Sequence, residues 1–98
     1  MTSFGEQIRT LREEKELPLR KVAAFLDIDP SLLGKIERNE RQPNKEFIKQ
    51  IALFFKIDEK SLIRQFVSDQ IAYKIIEEDD MEILKVAERK VMYLKDRK

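Results

Sequence analysis

The segment from Leu19 to Arg38 constrains the fold more than any other part of the chain. Apolar residues in its first half follow the i, i+3, i+4, i+7 spacing of a helix with one buried face: Leu19, Val22, Ala23 and Leu26. Its second half repeats this pattern: Leu32, Leu33 and Ile36. Asp29 can cap a helix that begins at Pro30, because the fixed φ of proline suits the first helical position. The sequence therefore predicts two short helices joined by a tight turn.

This outline resembles the helix-turn-helix of the Cro/CI-type regulators, also called the xenobiotic-response-element family. Ala23 matches the small residue that lets the two helices approach closely, and Leu33 and Ile36 match the two core positions. Glu37 matches a glutamate that pairs with an arginine of the first helix, here Arg12. The resemblance covers about residues 3–66, and it implies a structural ion pair between Arg12 and Glu37.

Three positions depart from the family pattern. Asp27 and Asn39 stand where the family usually carries glycine in a left-handed conformation. Because Asp and Asn tolerate positive φ better than other non-glycine residues, we expect both to adopt it. Leu19 replaces a glutamine that bonds a DNA phosphate in many members. We expect that phosphate contact to be lost in this chain.

Composition excludes several kinds of chemistry. The chain has no cysteine and no histidine, which rules out disulfides, thiol catalysis and imidazole acid–base catalysis. We therefore expect neither an enzyme nor a cofactor. The acidic run Glu77–Glu82 lacks the ligand spacing of a calcium loop, so no metal site is predicted. No apolar run approaches the roughly 20 residues that span a bilayer, and no signal pattern opens the chain, so the prediction is a cytoplasmic protein.

The predicted fold is all-α, with 98 residues that include only two glycines and three prolines. Patterns and caps predict five helices: one from a capping box at Ser3 to about Glu16, one over 18–26, one over 30–38, one capped by Asn44 and one capped by Asp58. Together they predict a five-helix lambda-repressor-like bundle, which is the fold of the family, over residues 1–67.

Residues 68–98 are predicted to add one or two helices. Ser68 and Asp69 could cap a new helix, or the fifth helix could continue; a strand at Ile71–Ile75 is the weaker alternative. In the last helix, apolar residues repeat with heptad-like spacing, and we call them the C-terminal seam: Leu84, Ala87, Val91 and Leu94. Because two short heptads do not form a stable coiled coil alone, the seam predicts a dimerisation extension.

The side of the third helix opposite its core residues would enter the major groove. We predict four base-reading residues on it: Pro30, Ser31, Gly34 and Lys35. Lys35 can donate to guanine, Ser31 can donate or accept, Pro30 can contact a thymine methyl, and Gly34 would let the helix sit deep. Spacing alone fits a solvated helix surface equally well. The family resemblance favours the DNA-reading interpretation.

Phosphate contacts are expected from polar residues at the rims of the two helices: Arg20, Lys21, Arg38, Arg41, Asn44 and Lys45. The overall net charge is only +1, so any affinity for phosphate must come from this local basic density. Glu40 and Glu46 dilute the basic arc, and we expect about half of these residues to contact DNA.

The sequence thus predicts a sequence-specific DNA-binding transcriptional regulator. One recognition helix reads only a few base pairs, so we expect a homodimer on a two-fold operator of double-stranded DNA. No ligand-binding domain is visible, so no small-molecule ligand is expected. The alternative is an antitoxin-like or adaptor protein whose C-terminal helices bind a protein partner. The two hypotheses differ in whether the C-terminal seam pairs with itself.

Overall fold

The computed structural model describes residues 2–97, and over this range it contains α-helices and no strands. The six helices are α1 (Phe4–Glu14), α2 (Leu19–Leu26), α3 (Pro30–Glu37), α4 (Lys45–Phe55), α5 (Glu59–Glu78) and α6 (Glu82–Asp96). The all-α prediction is confirmed. The alternative of a strand at Ile71–Ile75 is wrong, because these residues lie inside α5.

Helix α1 begins at the predicted cap and ends earlier than predicted. The Ser3 hydroxyl accepts a hydrogen bond from the Glu6 amide at 3.3 Å, as a capping box requires. The helix ends at Glu14, with Lys15 as its C-cap, and Glu16 has a left-handed φ of 53°. No glycine or asparagine marks this helix end in the sequence, so the predicted helix was two residues too long.

The turn between α2 and α3 follows the sequence closely. Pro18 is the residue before α2 and not its first residue. Asp27 closes α2 in a left-handed conformation, with φ of 55°. The Asp29 carboxylate then accepts from the Ser31 amide at 2.8 Å, and Pro30 opens α3 as expected. Helix α3 ends one residue before the predicted Arg38, which is its C-cap.

Caps also define the next two helices. The Asn44 side chain accepts from the Phe47 amide at 2.9 Å, and Asp58 accepts from the Ser61 amide at 2.9 Å. Helix α5 then runs for 20 residues, through Ser68 and Asp69. The fifth helix therefore continues through this region, and Ser68 and Asp69 do not cap a new helix.

The first compact unit extends through Val67 and contains the hydrophobic core. Side chains from all five of its helices are buried in it: Phe4, Ile8, Val22, Ala23, Leu33, Ile36, Phe47, Ile48, Ile51, Ala52, Phe55, Leu62 and Phe66. The rings of Phe4 and Phe66 meet edge to face at 5.2 Å, which fixes the start of α5 against α1. Each large aliphatic or aromatic side chain buried in this way stabilises the fold by roughly 1.5–3 kcal/mol.

The second compact unit begins at Ser68. It contains the end of α5 and α6, which are joined through Asp79 at a left-handed φ of 54°. The Asp80 carboxylate accepts from the Glu82 amide at 3.0 Å and so starts α6. No residue of α6 is buried. Whether this unit serves dimerisation, and the first one DNA binding, stays a prediction.

None of the helices in residues 2–97 combines the length and apolar character that crossing a membrane requires.

Candidate nucleic-acid interface

Helix α3 presents one polar side to solvent. Pro30, Ser31 and Lys35 are exposed, and so is the C-cap residue Arg38. The other side is held in the core by Leu33, Ile36 and Glu37, while Leu32 is half-buried. Three of the four predicted base-reading residues therefore lie on the exposed side of α3.

Gly34 is the exception, because it is buried. Its predicted role of letting the helix sit deep in the groove stays a prediction. Gly34 lies under the side chains of Leu19 and Arg38. A Cβ atom at this position would lie 3.2 Å from Arg38 Nη1 and 3.6 Å from Leu19 Cδ2. The physical reason is that a glycine leaves a depression on the helix, and neighbouring side chains fill it.

Ser31 makes two hydrogen bonds to Asp29, and the one from its hydroxyl was not predicted from the sequence. Its hydroxyl donates to Asp29 Oδ1 at 2.8 Å, and its amide donates to the same oxygen at 2.8 Å. These two bonds, the side-chain bond first, lower the pKa of Asp29 below its ordinary value. Because its proton is used internally, the Ser31 hydroxyl is left to accept a hydrogen bond, as from the exocyclic amine of adenine or cytosine.

Arg12 and Glu37 connect α1 to the end of α3. Arg12 Nε lies 2.8 Å from Glu37 Oε2, and a second guanidinium nitrogen lies 2.9 Å from Oε1, so the pair is bidentate. Arg12 also donates to the Leu17 carbonyl at 3.0 Å. The hydrogen bond to Glu37 is the main cause of the raised pKa of Arg12. With Glu37 only 5% exposed, this pair fixes the angle at which α3 leaves the bundle.

A second junction between α1 and α3 was missed by the sequence reasoning. Asn39, at φ of 62°, accepts from the Gly5 amide at 3.1 Å and donates to the Ser3 hydroxyl at 2.7 Å. A Cβ on Gly5 would lie only 2.5 Å from the Ile36 carbonyl oxygen and 2.7 Å from that of Glu37. Gly5 thus permits a close backbone approach. The signal available in the sequence was a glycine in the first turn of a helix.

The predicted phosphate-contacting residues are all exposed, but they differ in their internal contacts. Arg38 Nε pairs with Glu40 Oε2 at 2.9 Å, and Asn44 uses its side-chain oxygen to cap α4. Four cations make no ion pair within residues 2–97: Arg20, Lys21, Arg41 and Lys45. Since such cations have no protein carboxylate to satisfy them, they are the members of the set best placed for phosphate oxygens.

The packing of α2 on α3 brings part of this set to the exposed side of α3. Leu19 contacts Gly34 in the middle of α3, so the start of α2, where Arg20 and Lys21 follow, lies beside that helix. Leu19 is half-buried and packs against the core. Its side chain therefore stabilises the contact between the two helices, and the loss of the family's glutamine contact stays a prediction.

Two short helices joined by a tight turn, the second with one exposed polar side, define the helix-turn-helix class. A family model described as helix-turn-helix matches residues 8–62, more than half of the chain. The chain belongs to this family, in its Cro/CI-type form.

Two curated relatives, both from Bacillus subtilis (strain 168), match the chain over 64 residues. The HTH-type transcriptional repressor RghR is 36% identical, over 64% of this chain and 47% of its own length. The uncharacterized HTH-type transcriptional regulator RghRB is 31% identical, over 64% of this chain and 46% of its own length. The chain thus spans about half the length of the curated relatives that it matches. No solved structure matches it.

Proposed function

We propose that this protein is a sequence-specific DNA-binding transcriptional regulator, and not an enzyme, with α3 as its recognition helix. The observation that carries the proposal is the exposed polar side of α3, held at a fixed angle by the buried Arg12–Glu37 pair. Membership of the helix-turn-helix family supports it, and so do two relatives named as transcriptional regulators. Action on DNA fits the predicted cytoplasmic localisation, and no cofactor or small-molecule ligand is part of the proposal.

Within this proposal the exposed residues have distinct tasks. Lys35 donates to a guanine edge, Ser31 accepts from an adenine or cytosine amine, and Pro30 contacts a thymine methyl. The four cations without an ion pair contact phosphates on either side of the groove, and the Asn44 amide nitrogen can donate there as well. This division gives a short half-site, because few polar side chains reach the bases.

We propose further that the protein acts as a homodimer through the C-terminal seam. The seam residues are exposed: Leu84 by 46%, Val91 by 54% and Leu94 by 59%, and Ala87 is exposed with them. A helix of 15 residues is marginal in water without packing on an apolar side, and an exposed apolar patch of this kind marks an interaction surface.

The composition of the second unit favours a second copy of this chain as the partner. Charged residues of both signs flank the seam, among them Lys85, Glu88 and Lys95. Opposite charges at such flanking positions can form ion pairs between two identical helices. A groove of about 490 Å³ next to the seam is lined by apolar side chains, with Ser68 as its polar member: Ser68, Ile71, Ala72, Ile75, Ile76, Met81 and Leu84. Leu84 belongs both to the C-terminal seam and to this groove, so the two form one continuous apolar surface for self-association.

Selection of bound sequences from a random duplex pool tests the proposal. We expect two short half-sites related by a two-fold axis, with centres about 10 base pairs apart or a multiple of that spacing. Affinity should fall steeply with salt, as phosphate contacts require. Absence of any enriched sequence would contradict DNA reading by α3. A single unpaired half-site together with a monomeric protein would favour the alternative, an antitoxin-like or adaptor protein whose C-terminal helices bind another protein.

A further inference from the structure

The side chain of Arg38 does not extend away from α3. Its Nη1 lies where it would be 3.2 Å from a Cβ on Gly34, four residues earlier. The guanidinium therefore folds back along the helix and covers the depression that glycine leaves. An alanine at position 34 would force the guanidinium to move, since 3.2 Å is shorter than ordinary van der Waals contact.

Glu40 holds the folded-back arginine from one side. Its carboxylate accepts from Arg38 Nε at 2.9 Å and lies 3.5 Å from Nη2. This contact occupies the Nε–Nη2 edge of the guanidinium. The Nη1–Nη2 end shares Nη2 with that edge but keeps one further N–H on each nitrogen, and these two parallel donors form the fork that matches guanine O6 and N7.

The position of Arg38 along the helix places this fork among the base-reading residues. Ser31, Lys35 and Arg38 are separated by four and three residues, so they share one side of α3. Because the Arg38 side chain folds back over Gly34, its guanidinium lies about one turn nearer the start of α3 than its own place in the chain. The third exposed polar group on this side of α3 is therefore an arginine whose guanidinium is paired with Glu40.

We propose that Arg38 reads a guanine base, with Gly34 and Glu40 as positioning residues, instead of contacting a phosphate. The inference rests on the proposed DNA-binding function and adds a specificity-determining residue to it. Glu40 distinguishes the two tasks, because its carboxylate would repel a phosphate brought to the same guanidinium, whereas a guanine edge carries no net charge.

The charge states of the pair agree with this assignment. The hydrogen bond between them raises the pKa of Arg38 and lowers the pKa of Glu40. Both groups are therefore charged near neutral pH, as the ion pair requires.

The test compares base preferences of the full-length protein and its variants. Wild-type protein first selects its sequence from a random duplex pool, and each variant is then titrated against duplexes that change one base pair at a time. In Arg38→Lys the charge stays but the fork is lost. We expect preference for one guanine to fall about ten-fold or more, with other positions and the salt dependence unchanged.

Four further variants complete the comparison, two at the positioning residues and two as controls. Glu40→Gln and Gly34→Ala should each lower preference for the same guanine several-fold while thermal melting shows an intact fold. Arg41→Ala, at a proposed phosphate contact, should weaken all sequences equally and reduce the salt slope by about one. Arg64→Lys, on the exposed surface of α5, should change nothing.

The outcomes separate this inference from the function on which it rests. If wild type selects a sequence and Arg38→Lys weakens every duplex equally, Arg38 is a phosphate contact and the inference is wrong. If Glu40→Gln and Gly34→Ala leave the guanine preference unchanged, the positioning roles are wrong. If wild type selects no sequence, the proposed function itself fails.

Discussion

The two units of the molecule differ in how they cover their apolar side chains. In the unit that ends at Val67, residues from five helices bury one another, down to fully enclosed Ile8 and Leu33. In the part of the second unit that the structure describes, Ile75 is the only buried hydrophobic residue, and α6 buries none. Both units consist of good helix formers, so helix propensity does not separate them. The difference is that the helices of the first unit bury one another's apolar side chains, whereas α6 exposes its own.

The largest expected effect comes from changing the exposed apolar surface of the second unit. In the double variant Leu84→Gln with Val91→Gln, the C-terminal seam loses its apolar contacts. We expect the dimer to dissociate and operator affinity to fall about 100-fold or more. The reason is that the two recognition helices are then no longer linked, and each must bind its half-site separately. Sedimentation and titration with the selected operator measure both effects, and removal of residues 80–98 should give the same result.

The matched control moves both substitutions by five residues, to Arg89→Gln with Asp96→Gln, which are exposed on the side of α6 opposite the seam. These positions keep the seven-residue spacing on another side of α6, so the control should remain dimeric. A seam variant that still sediments as a dimer would show that the two-fold contact lies elsewhere. A wild-type protein that is already monomeric would contradict homodimerisation through the seam. It would favour a different protein as the partner of α6.

The contrast between the units also decides how much the sequence could predict. In the first unit, apolar spacing and caps such as Asp29, Asn44 and Asp58 identified all five helices, because local signals and packing agree there. The sequence did not reveal that Arg38 folds back over Gly34, since side-chain orientation depends on neighbours that periodicity does not specify. For the same reason the contacts of Gly5 were missed. In the second unit the helices were predictable, but periodicity does not specify what packs against α6.

The next prediction concerns the buried ion pair between α1 and α3 in the first unit. In Glu37→Ala the Arg12 guanidinium keeps its charge and loses its carboxylate partner. Its side chain is only 14% exposed, so we expect a loss of about 3 kcal/mol in the free energy of unfolding. The base preference of the variant that remains folded should be unchanged. Chemical denaturation and duplex titration provide the two measurements.

Glu14→Ala is the control, because Glu14 is exposed at the end of α1. Its effect should stay within about 0.5 kcal/mol. If Glu37→Ala is stable but prefers other bases, the ion pair belongs to DNA recognition and its structural role is wrong.

The two glycines give a pair of alanine substitutions with opposite expected signs. In Gly5→Ala the new methyl group meets backbone oxygens at 2.5 and 2.7 Å, which cannot move cheaply, so we expect destabilisation of about 1–3 kcal/mol. In Gly34→Ala the near neighbour is the flexible end of Arg38, and alanine favours the helix by up to about 1 kcal/mol. Thermal melting of both variants measures the difference. Equal changes in melting temperature would show that Gly5 does not lie close to the carbonyl oxygens of Ile36 and Glu37.

The smallest expected effect separates backbone conformation from side-chain bonding at the end of α3. Asn39→Gly keeps the left-handed backbone but removes the bonds to Gly5 and Ser3, each worth about 0.5–1.5 kcal/mol. Asp27→Gly also keeps a left-handed backbone, and within residues 2–97 the Asp27 side chain makes no hydrogen bond. Because relief of backbone strain is similar at both positions, the difference in unfolding free energy isolates the Asn39 side chain. We expect Asn39→Gly to be less stable than Asp27→Gly by about 1 kcal/mol, measured by urea denaturation. Equal stability would mean that Asn39 serves only as a substitute for glycine, and that the Arg12–Glu37 pair alone sets the angle of α3.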